Sequence, residues 1–233
     1  MSITIRRSLE RGRTSWEWLE SRHTFSFGEY FDPAHHRFSI LRVINDDVIG
    51  PGAGFDMHPH RDMEILTYVL DGAVAHRDST NVEGVTGVGE IQRMTAGSGI
   101  MHSEHNASTT DSLHLLQIWI MPGRKGLKPG YERRAISWAK PWTVLAAPSG
   151  APGTVSIAAD ARLLAGRPRC GEELTLELES GRVAWIHVVH GSVHIGGNGL
   201  VAGDGAGIIG EDSITIRADA DSEILVFDLP VVE

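Results

Sequence analysis

The sequence predicts an all-β protein that consists of two consecutive small antiparallel β-barrels. Short runs rich in Val, Ile and Leu recur along the chain, and many of its 27 glycines separate them. No long segment has the 3.6-residue hydrophobic period of an amphipathic helix, whereas short apolar runs bounded by turn residues are typical of strands. The chain has 233 residues, of which 41% are hydrophobic, and is therefore long enough to fill two compact cores.

The first barrel is predicted to follow an aromatic-rich lead-in of about 30 residues, whose rings we expect to cover an open edge or end of a sheet. Asp71-Gly72 lies between two strand-like runs, which is a strong signal for a hairpin. We interpret His23, in the lead-in, as a structural hydrogen-bonding residue. The expected strands cover 38–44, a segment that ends in His58 and His60, 64–70, 73–77, a hairpin over 82–92, a segment that contains His102, and 113–121.

Residues 126–142 are predicted to link two domains, because the stretch around them is rich in Pro, Gly and charged side chains. We therefore assign residues 1–125 to an N-terminal domain and residues 143–233 to a C-terminal one. The second block contains a weak copy of the first, since Val188–Val193 parallels Val69–Val74.

The copy lacks the histidines of the first block. The positions that would correspond to His58 and His60 hold Glu177 and Glu179. We interpret the remaining histidines of this region as structural or surface residues and expect the C-terminal domain to bind no metal. These histidines are His187, His190 and His194.

Charge and cysteine content exclude several classes of function. A formal net charge of −9 argues against sequence-independent binding to nucleic acid and against binding to an acidic membrane surface. The single cysteine, Cys170, cannot form an intrachain disulfide. The first seven residues lack the apolar segment of a signal peptide, and no apolar run could span a bilayer, so the expected location is the cytoplasm.

Two pairs of potential metal ligands have the same spacing. His58 and His60 are two residues apart in a strand-like segment, as are His102 and Glu104. Side chains at i and i+2 of a strand leave the same face, so each strand can direct two ligands at one ion. The alternative is that these are surface or hydrogen-bonded histidines, which is the more common fate of a single His-x-His pair.

Three imidazoles and one carboxylate suit Fe(II), Ni(II), Cu(II), Co(II), Mn(II) or Zn(II). Four protein ligands leave room for water or substrate only on a five- or six-coordinate ion. Because the ligands must be neutral imidazoles, we expect metal affinity to fall steeply as the pH drops through about 6.5, where three histidines would protonate.

The motifs around these ligands resemble those of the pirin family, whose members have a bicupin fold, and the resemblance covers nearly the whole chain. The first cupin motif is present with its last glycine one place late, and the second has threonine in place of proline and two extra residues before its histidine. The matching positions are Gly52, His58, His60, Glu64 and Gly72 in the first motif and Gly89, Thr95, Gly97, His102 and Asn106 in the second.

The resemblance implies that Glu104 is the fourth ligand and that Glu64 is not a ligand. It is greatest to bacterial pirin-like proteins with quercetin 2,3-dioxygenase activity, which cleave the central ring of a flavonol with O2 and release CO. This implies a flavonol and O2 as partners and one divalent metal, with Fe(II) as the first choice. Glu104 is then the candidate general base and Glu64 a weaker one. We expect an apolar mouth near Met57, Met101 and Ile118.

Two other functions stay open from the sequence. Animal pirin is regarded as an iron-binding nuclear coregulator, so the same ligands could serve a redox-sensing regulatory protein that acts through a protein partner. A cupin isomerase acting on a phosphorylated sugar would need several basic residues near the site, and only Arg61 is available.

Overall fold

The computed structural model describes residues 2–148, 150 and 152–232 and has the predicted all-β architecture. The remaining positions, 1, 149, 151 and 233, belong to the predicted domain ranges but lie outside the described residues. Two short 3₁₀ turns cover Ser8–Glu10 and Pro33–His35. Across the described ranges, the chain contains no helix that is long and apolar enough to cross a bilayer.

The first half contains β1 (Ser2–Arg6), β2 (Gly12–Trp16), β3 (Leu19–His23), β4 (Leu41–Ile49), β5 (Gly54–His60), β6 (Glu64–Asp71), β7 (Ala73–Asp78), β8 (Glu83–Gly87), β9 (Glu90–Thr95), β10 (Ile100–Asn106), β11 (Leu113–Ile120) and β12 (Gly130–Ala135). The second half contains β13 (Thr143–Ala147), β14 (Val155–Ser156), β15 (Arg162–Gly166), β16 (Glu173–Glu177), β17 (Arg182–His190), β18 (Ser192–Ile195), β19 (Asn198–Val201), β20 (Gly205–Ile209), β21 (Ser213–Ala218) and β22 (Glu223–Pro230).

Each half consists of one large and one small sheet rather than a closed barrel. The first half has a seven-stranded sheet, in the order β12-β9-β6-β11-β4-β3-β2, and a four-stranded sheet, β5-β10-β7-β8. The second half repeats this arrangement with β1-β20-β17-β22-β15-β13-β14 and β16-β21-β18-β19. Neighbouring strands are antiparallel except for the parallel pair β13 and β14. The predicted bicupin fold is therefore confirmed, with open sandwiches in place of barrels.

The predicted turn between β6 and β7 is present, but the predicted hairpin is wrong, because β6 lies in the large sheet and β7 in the small one. The hairpin expected over 82–92 is wrong for the same reason, since β8 belongs to the small sheet and β9 to the large one. Gly72 joins the two strands with φ of 77°, in the left-handed region that favours glycine. Gly191 joins β17 to β18 in the same way with φ of 80°, so the weak internal copy corresponds to a repeated structural unit. The expected strand at 38–44 begins later, because Phe38 and Leu41 form only an isolated bridge before β4 starts.

Two strands sit at equivalent sheet edges. β1 pairs with β20 of the second half, while β12, from the predicted linker, pairs with β9 of the first half. Ile3 and Ile5 of β1 pack against the apolar core of the second half. The first strand therefore belongs to the C-terminal sheet, while the predicted domain limits themselves stay a prediction.

Three apolar layers hold the sheets together. The largest core lies between the two seven-stranded sheets and contains side chains of both halves, including Leu66, Ile118, Trp185 and Phe227. A second core fills the space between the two sheets of the C-terminal half. In the N-terminal half, smaller clusters leave the centre of the sandwich to polar side chains and a cavity.

Candidate metal centre and its pocket

Three histidines predicted as ligands converge inside the N-terminal sandwich. The ligand nitrogens of His58, His60 and His102 lie within 4.8 Å of one another. Their ring centroids are 4.4 to 4.9 Å apart. His102 is buried, and the other two are partly exposed. Two strands of the small sheet therefore bring imidazoles to one point, as their spacing predicts.

A β-bulge and a glycine allow β5 and β10 to approach in this way. His102 stands opposite His58 and Glu104 stands opposite Phe55, so two residues of β5 face one residue of β10. Such a bulge redirects side chains, and it lets both Phe55 and His58 face the cavity. A Cβ at Gly54 would lie 2.3 Å from the carbonyl oxygen of Glu104, so only glycine permits this approach.

Hydrogen bonds leave one nitrogen of each of two histidines free for an ion. His58 donates from Nδ1 to the carbonyl oxygen of Asp56 at 2.7 Å, which leaves Nε2 as the ligand atom. Nε2 of His102 is buried and has no hydrogen-bond partner among the described residues. Burial, followed by the neighbouring His58, lowers the pKa of His60 to about 4. Burial, with further contributions from nearby histidines, lowers the pKa of His102 to about 2. Both rings are therefore neutral, as a metal ligand must be.

His76 and Asp78 form a buried pair next to His102 that the sequence analysis missed. Nε2 of His76 donates to Oδ2 of Asp78 at 3.1 Å, and Nδ1 of His76 lies 3.4 Å from Nδ1 of His102. Because the proton of neutral His76 is on Nε2, its Nδ1 is an acceptor. Nδ1 of His102 must then be the donor, which leaves Nε2 of His102 unprotonated. Asp78 is held in turn by the backbone and hydroxyl of Thr80. Partners of this kind orient metal-binding histidines in other proteins. The only signal in the sequence was the two-residue spacing of His76 and Asp78, which lie on β7, the strand next to β10.

Glu104 is completely buried beside this cluster and is held by three side chains. Its Oε1 accepts hydrogen bonds from Gln92 at 2.8 Å and Thr67 at 3.2 Å, and its Oε2 accepts one from Gln117 at 2.5 Å. Burial raises the pKa of Glu104 to about 7 although these hydrogen bonds oppose the shift. A carboxylate oxygen of Glu104 lies within 4.8 Å of ligand nitrogens of His76 and His102, but Glu104 does not share that distance with all three predicted histidines.

The histidines form part of the wall of a cavity of about 520 Å³. Apolar and aromatic side chains of both sheets and of the N-terminal lead-in dominate its lining. Trp119 stands edge-on to His60 at 4.9 Å, and Phe27 stands edge-on to Trp119 at 5.4 Å. The lining includes Trp16, Leu19, Phe27, Phe55, Ile65 and Trp119 together with Ser21, His23, Asn45 and Asp47.

The expected mouth near Met57, Met101 and Ile118 is wrong. The two methionines are exposed outside the cavity, and Ile118 is buried in the core between the large sheets. On β5 and β10 these methionines alternate with the ligands, so the pleat directs them away from the site. The mouth uses lead-in rings instead, which the sequence analysis had placed mainly over a sheet edge.

Two charged candidates of the sequence analysis lie outside the cavity. Glu64 is fully buried and accepts a hydrogen bond from Thr95 at 2.9 Å, with Arg93 at 4.0 Å, whereas Ile65 after it lines the cavity. Glu64 therefore faces the opposite side of the sheet. Arg61 lines a separate shallow cleft. Neither residue is positioned to act on a ligand of the histidine cluster.

The remaining histidines have other roles. Nδ1 of His23 donates to Asn45 at 2.8 Å, and its Nε2 accepts from Thr14 at 2.8 Å, which confirms it as a structural hydrogen-bonding residue. In the described part of the chain, both groups of three potential metal ligands lie in the N-terminal half. His187 is buried in the C-terminal half, while His194 pairs with Asp219.

The residues present fit a divalent first-row transition metal. The unpartnered Nε2 of His102 would be a costly buried atom without a ligand, and the free nitrogens of His58 and His60 lie around the same point. Imidazole and carboxylate are the donors that Fe, Ni, Cu, Co, Mn and Zn share, so the donor set alone does not choose among them.

Comparison with known proteins identifies the family. Residues 4–120 match the family model described as Pirin, and residues 144–229 match the model described as Quercetinase C-terminal cupin domain. The chain belongs to the pirin family. Among pirin relatives, a protein of Escherichia coli K12 named quercetin 2,3-dioxygenase is 46% identical over 230 residues, which cover 99% of this chain and all of the relative.

Solved pirin structures agree with the fold. The crystal structure of YhhW from Escherichia coli has a TM-score of 0.97 and 46% identity, over 100% of this chain and 99% of that one. A structure of the bacterial pirin YhhW in complex with nickel(II) has a TM-score of 0.96 and 45% identity, over 99% of this chain and 100% of that one. The predicted membership of the pirin family is thus confirmed, and a relative this similar binds a divalent transition metal.

Proposed function

We propose that this pirin is a metal-dependent dioxygenase that cleaves the central ring of a flavonol such as quercetin with O2 and releases CO. The observation that carries the proposal is the convergence of three neutral imidazoles at the wall of a largely apolar cavity of about 520 Å³. That volume is in the range of sites for drug-sized ligands, and the aromatic lining suits a flat molecule. The activity named for the Escherichia coli relative supports the same reaction.

We propose His58, His60, His102 and Glu104 as the ligands of a single divalent ion. The three imidazoles are already close together, and Glu104 lies beside His102. Iron(II) is the ion that we propose first, because the family resemblance favours it. The donor set also accepts Ni, Cu, Co, Mn and Zn, and nickel(II) is the ion in the relative's complex.

The chemistry divides between the ion and the side chains. The bound ion supplies Lewis acidity that favours the deprotonated form of the flavonol 3-hydroxyl. Glu104 is the group positioned to accept that proton, since its carboxyl group lies within 4.8 Å of a nitrogen of His102, whereas His76 and Thr80 already bond to the carboxylate of Asp78. Gln92, Gln117 and Thr67 hold the Glu104 carboxylate in place while it does so.

The pocket positions the substrate and excludes water. Trp119 and Phe27 continue the row of aromatic rings from His60 toward the lead-in through edge-to-face contacts, and a flat ring system can pack against them. Phe55 also lines the cavity, with its ring centroid 6.3 Å from that of His58. The lead-in strand β2 and residues around Gly28 complete the rim.

The proposal extends to the domain limits, the location and the partners of the protein. We propose residues 1–125 as the metal-binding domain, 126–142 as the connecting segment and 143–233 as a domain without metal, with a cytoplasmic location. The partners are a flavonol and O2, without direct binding of nucleic acid or membrane.

Metal analysis combined with turnover tests this function. Freshly purified protein should contain about one equivalent of a divalent transition metal. The metal-loaded protein should consume O2 and quercetin together and release CO, and it should leave quercetin unchanged without O2. Metal-loaded protein that binds its ion but leaves a series of flavonols intact would favour a regulatory protein that signals through a partner.

A further inference from the structure

The cavity contains a buried carboxyl group that the proposed metal centre does not use. Asp47 of β4 lines the cavity and is only 3% exposed. One of its oxygens, Oδ1, accepts a hydrogen bond from Ser21. Within the described ranges its second oxygen, Oδ2, has no hydrogen-bond partner. Oδ2 is nevertheless not among the unpartnered side-chain atoms that lack all solvent access. Oδ2 is therefore free to bond to a molecule in the cavity.

The strand register places Asp47 away from the histidine cluster. In the large sheet, Gln117, which holds Glu104, stands opposite Asn45, and Asp47 stands one inward-facing position further along β4, opposite Leu115. Two residues of a strand span roughly 6.5 Å, so Asp47 lies about that far along the sheet from the Glu104 layer. This spacing is comparable to the distance between hydroxyl groups at different rings of a flavonol.

Aromatic rings line the cavity between these points. The ring of His23 lies 5.3 Å from that of Phe27, which contacts Trp119 and through it the His60 ring. A planar molecule with one end at the histidines can pack along this row and bring its other end to Asp47. Nothing else on that face of β4 offers an unused acceptor except Asp47, because Asn45 is already engaged by His23.

The energetics favour a ligand partner for Asp47. A buried polar atom without a hydrogen bond is destabilising, so such atoms occur mostly where a ligand or water satisfies them. Burial raises the pKa of Asp47 to about 7, with Ser21 opposing the shift. The carboxyl group can then either accept a hydrogen bond from a phenol or donate one to it near neutral pH.

We propose that Asp47, oriented by Ser21, binds a second hydroxyl group of the flavonol, distant from the 3-hydroxyl at the metal centre, and thereby selects polyhydroxylated substrates. The inference rests on the proposed function, since it assigns the substrate class of the same site. Asp47 is a specificity-determining residue in this scheme, and it takes no part in the reaction at the central ring. A site that bonds a hydroxyl group discriminates strongly against an analogue that lacks it.

The test compares quercetin with 3-hydroxyflavone, which has the 3-hydroxyl and no other. Both are titrated against the metal-loaded protein without O2 to obtain Kd, and both are then turned over with O2. The variants are Asp47→Leu, which keeps the approximate shape, and Asp47→Asn, which keeps hydrogen bonding. Asp46→Asn is the matched control, because Asp46 is the preceding residue of β4 and faces the other side of the sheet, where it binds Arg11 and His114.

The parent protein should prefer quercetin over 3-hydroxyflavone by about 10- to 100-fold in Kd and in KM, the range that one hydrogen bond to a buried charged group supplies. Asp47→Leu should lose this preference because Kd and KM rise for quercetin only. Its metal content and its kcat for 3-hydroxyflavone should stay at the parent values. Asp47→Asn should recover part of the preference, and Asp46→Asn all of it.

Two results overturn the inference while the proposed function stands: equal affinity of the parent for both flavonols, or an equal loss for both in Asp47→Leu. Binding of quercetin that depends on Asp47, with no cleavage of either compound, would support hydroxyl recognition and refute the dioxygenase. Absence of binding and of turnover for both flavonols in the metal-loaded parent would refute both proposals.

Discussion

The two small sheets of the molecule have the same strand order but opposite interiors. β5, β10, β7 and β8 of the N-terminal half correspond in position to β16, β21, β18 and β19 of the C-terminal half. In the first sheet several inward positions hold imidazoles and carboxyl groups, whereas the second sheet directs buried aliphatic side chains inward. The aliphatic set is Leu174, Leu176, Val193, Ile195, Ile214 and Ile216.

This difference separates stability from function within one fold. Aliphatic side chains fill the C-terminal sandwich and gain stability by leaving water. The N-terminal sandwich gives up that gain, and hydrogen bonds must then satisfy its buried polar groups, as Gln92, Gln117 and Thr67 do for Glu104. The site therefore follows from a few inward positions and not from the architecture, which both halves share.

Removal of a ligand should have the largest effect and should be confined to one half. We expect His102→Ala to abolish stable metal binding, because it removes the most buried of the three converging nitrogens. His187→Ala, at a buried histidine of the C-terminal half, should keep the metal. Elemental analysis of both variants gives the stoichiometry, and anomalous scattering gives the position. A strong peak near His187, His190 or His194 with none near His58 would refute the assignment.

The second-largest effect should be on turnover, when the charge of Glu104 is removed. If Glu104 is only a ligand, Glu104→Gln weakens metal binding and excess metal restores activity. If it also accepts the proton, the metal-saturated variant stays slower by about 10²-fold or more, the range of a positioned general base. Glu64→Gln is the control, since Glu64 faces away from the cavity. Normal turnover by metal-saturated Glu104→Gln together with an inactive Glu64→Gln would reverse these roles.

The pair behind His102 should have a smaller effect on metal affinity. We expect His76→Phe and Asp78→Asn each to weaken metal binding by about 10- to 100-fold, as is typical when the partner of a ligating histidine is removed. Phenylalanine keeps the ring that stacks on Tyr131 at 4.5 Å, so the fold should persist. His194→Phe, on the equivalent strand β18, is the matched control. Competitive titration with a metal chelator measures all three, and unchanged affinity in both N-terminal variants would exclude an orienting role.

The pH dependence of metal affinity should be the mildest effect, and it differs from the sequence expectation. Three histidines titrating near 6.5 would make affinity fall about a thousandfold per pH unit. Burial instead lowers the pKa of His60 to about 4 and that of His102 to about 2, so neither takes up a proton between pH 7.5 and 5.5.

Glu104 changes protonation state in that interval. Burial raises its pKa to about 7, above the ordinary value, so the carboxyl group of the metal-free protein is protonated below that pH and ionised above it. A cation needs the ionised form, and affinity should therefore be full above about pH 7 and fall by about tenfold per pH unit below it through this group. Glu104→Gln should remove that component. A thousandfold fall per unit in the parent would show that the imidazoles are the groups that titrate.

Several features of the site could be predicted from the sequence, because they depend on local geometry. The two-residue spacing places His58 beside His60, and Asp71-Gly72 forms a turn between two strands, although these strands enter different sheets. His76 and Asp78 were not predicted, although their spacing is the same. Their role arises from register, since Asp78 stands opposite His102 and His76 opposite Glu104 on the neighbouring strand.

The sequence by itself determined the β-class, the internal repeat, the family and the two pairs of candidate ligands, since each depends on alternation, turn chemistry or spacing between residues a few positions apart. The tertiary structure decided the rest. Only folding brings β1 to the C-terminal sheet, the lead-in rings to the mouth and Asp47 into the cavity. These contacts join residues that are far apart in the chain, so their existence depends on which strands pair and in which register, and no local pattern encodes that choice.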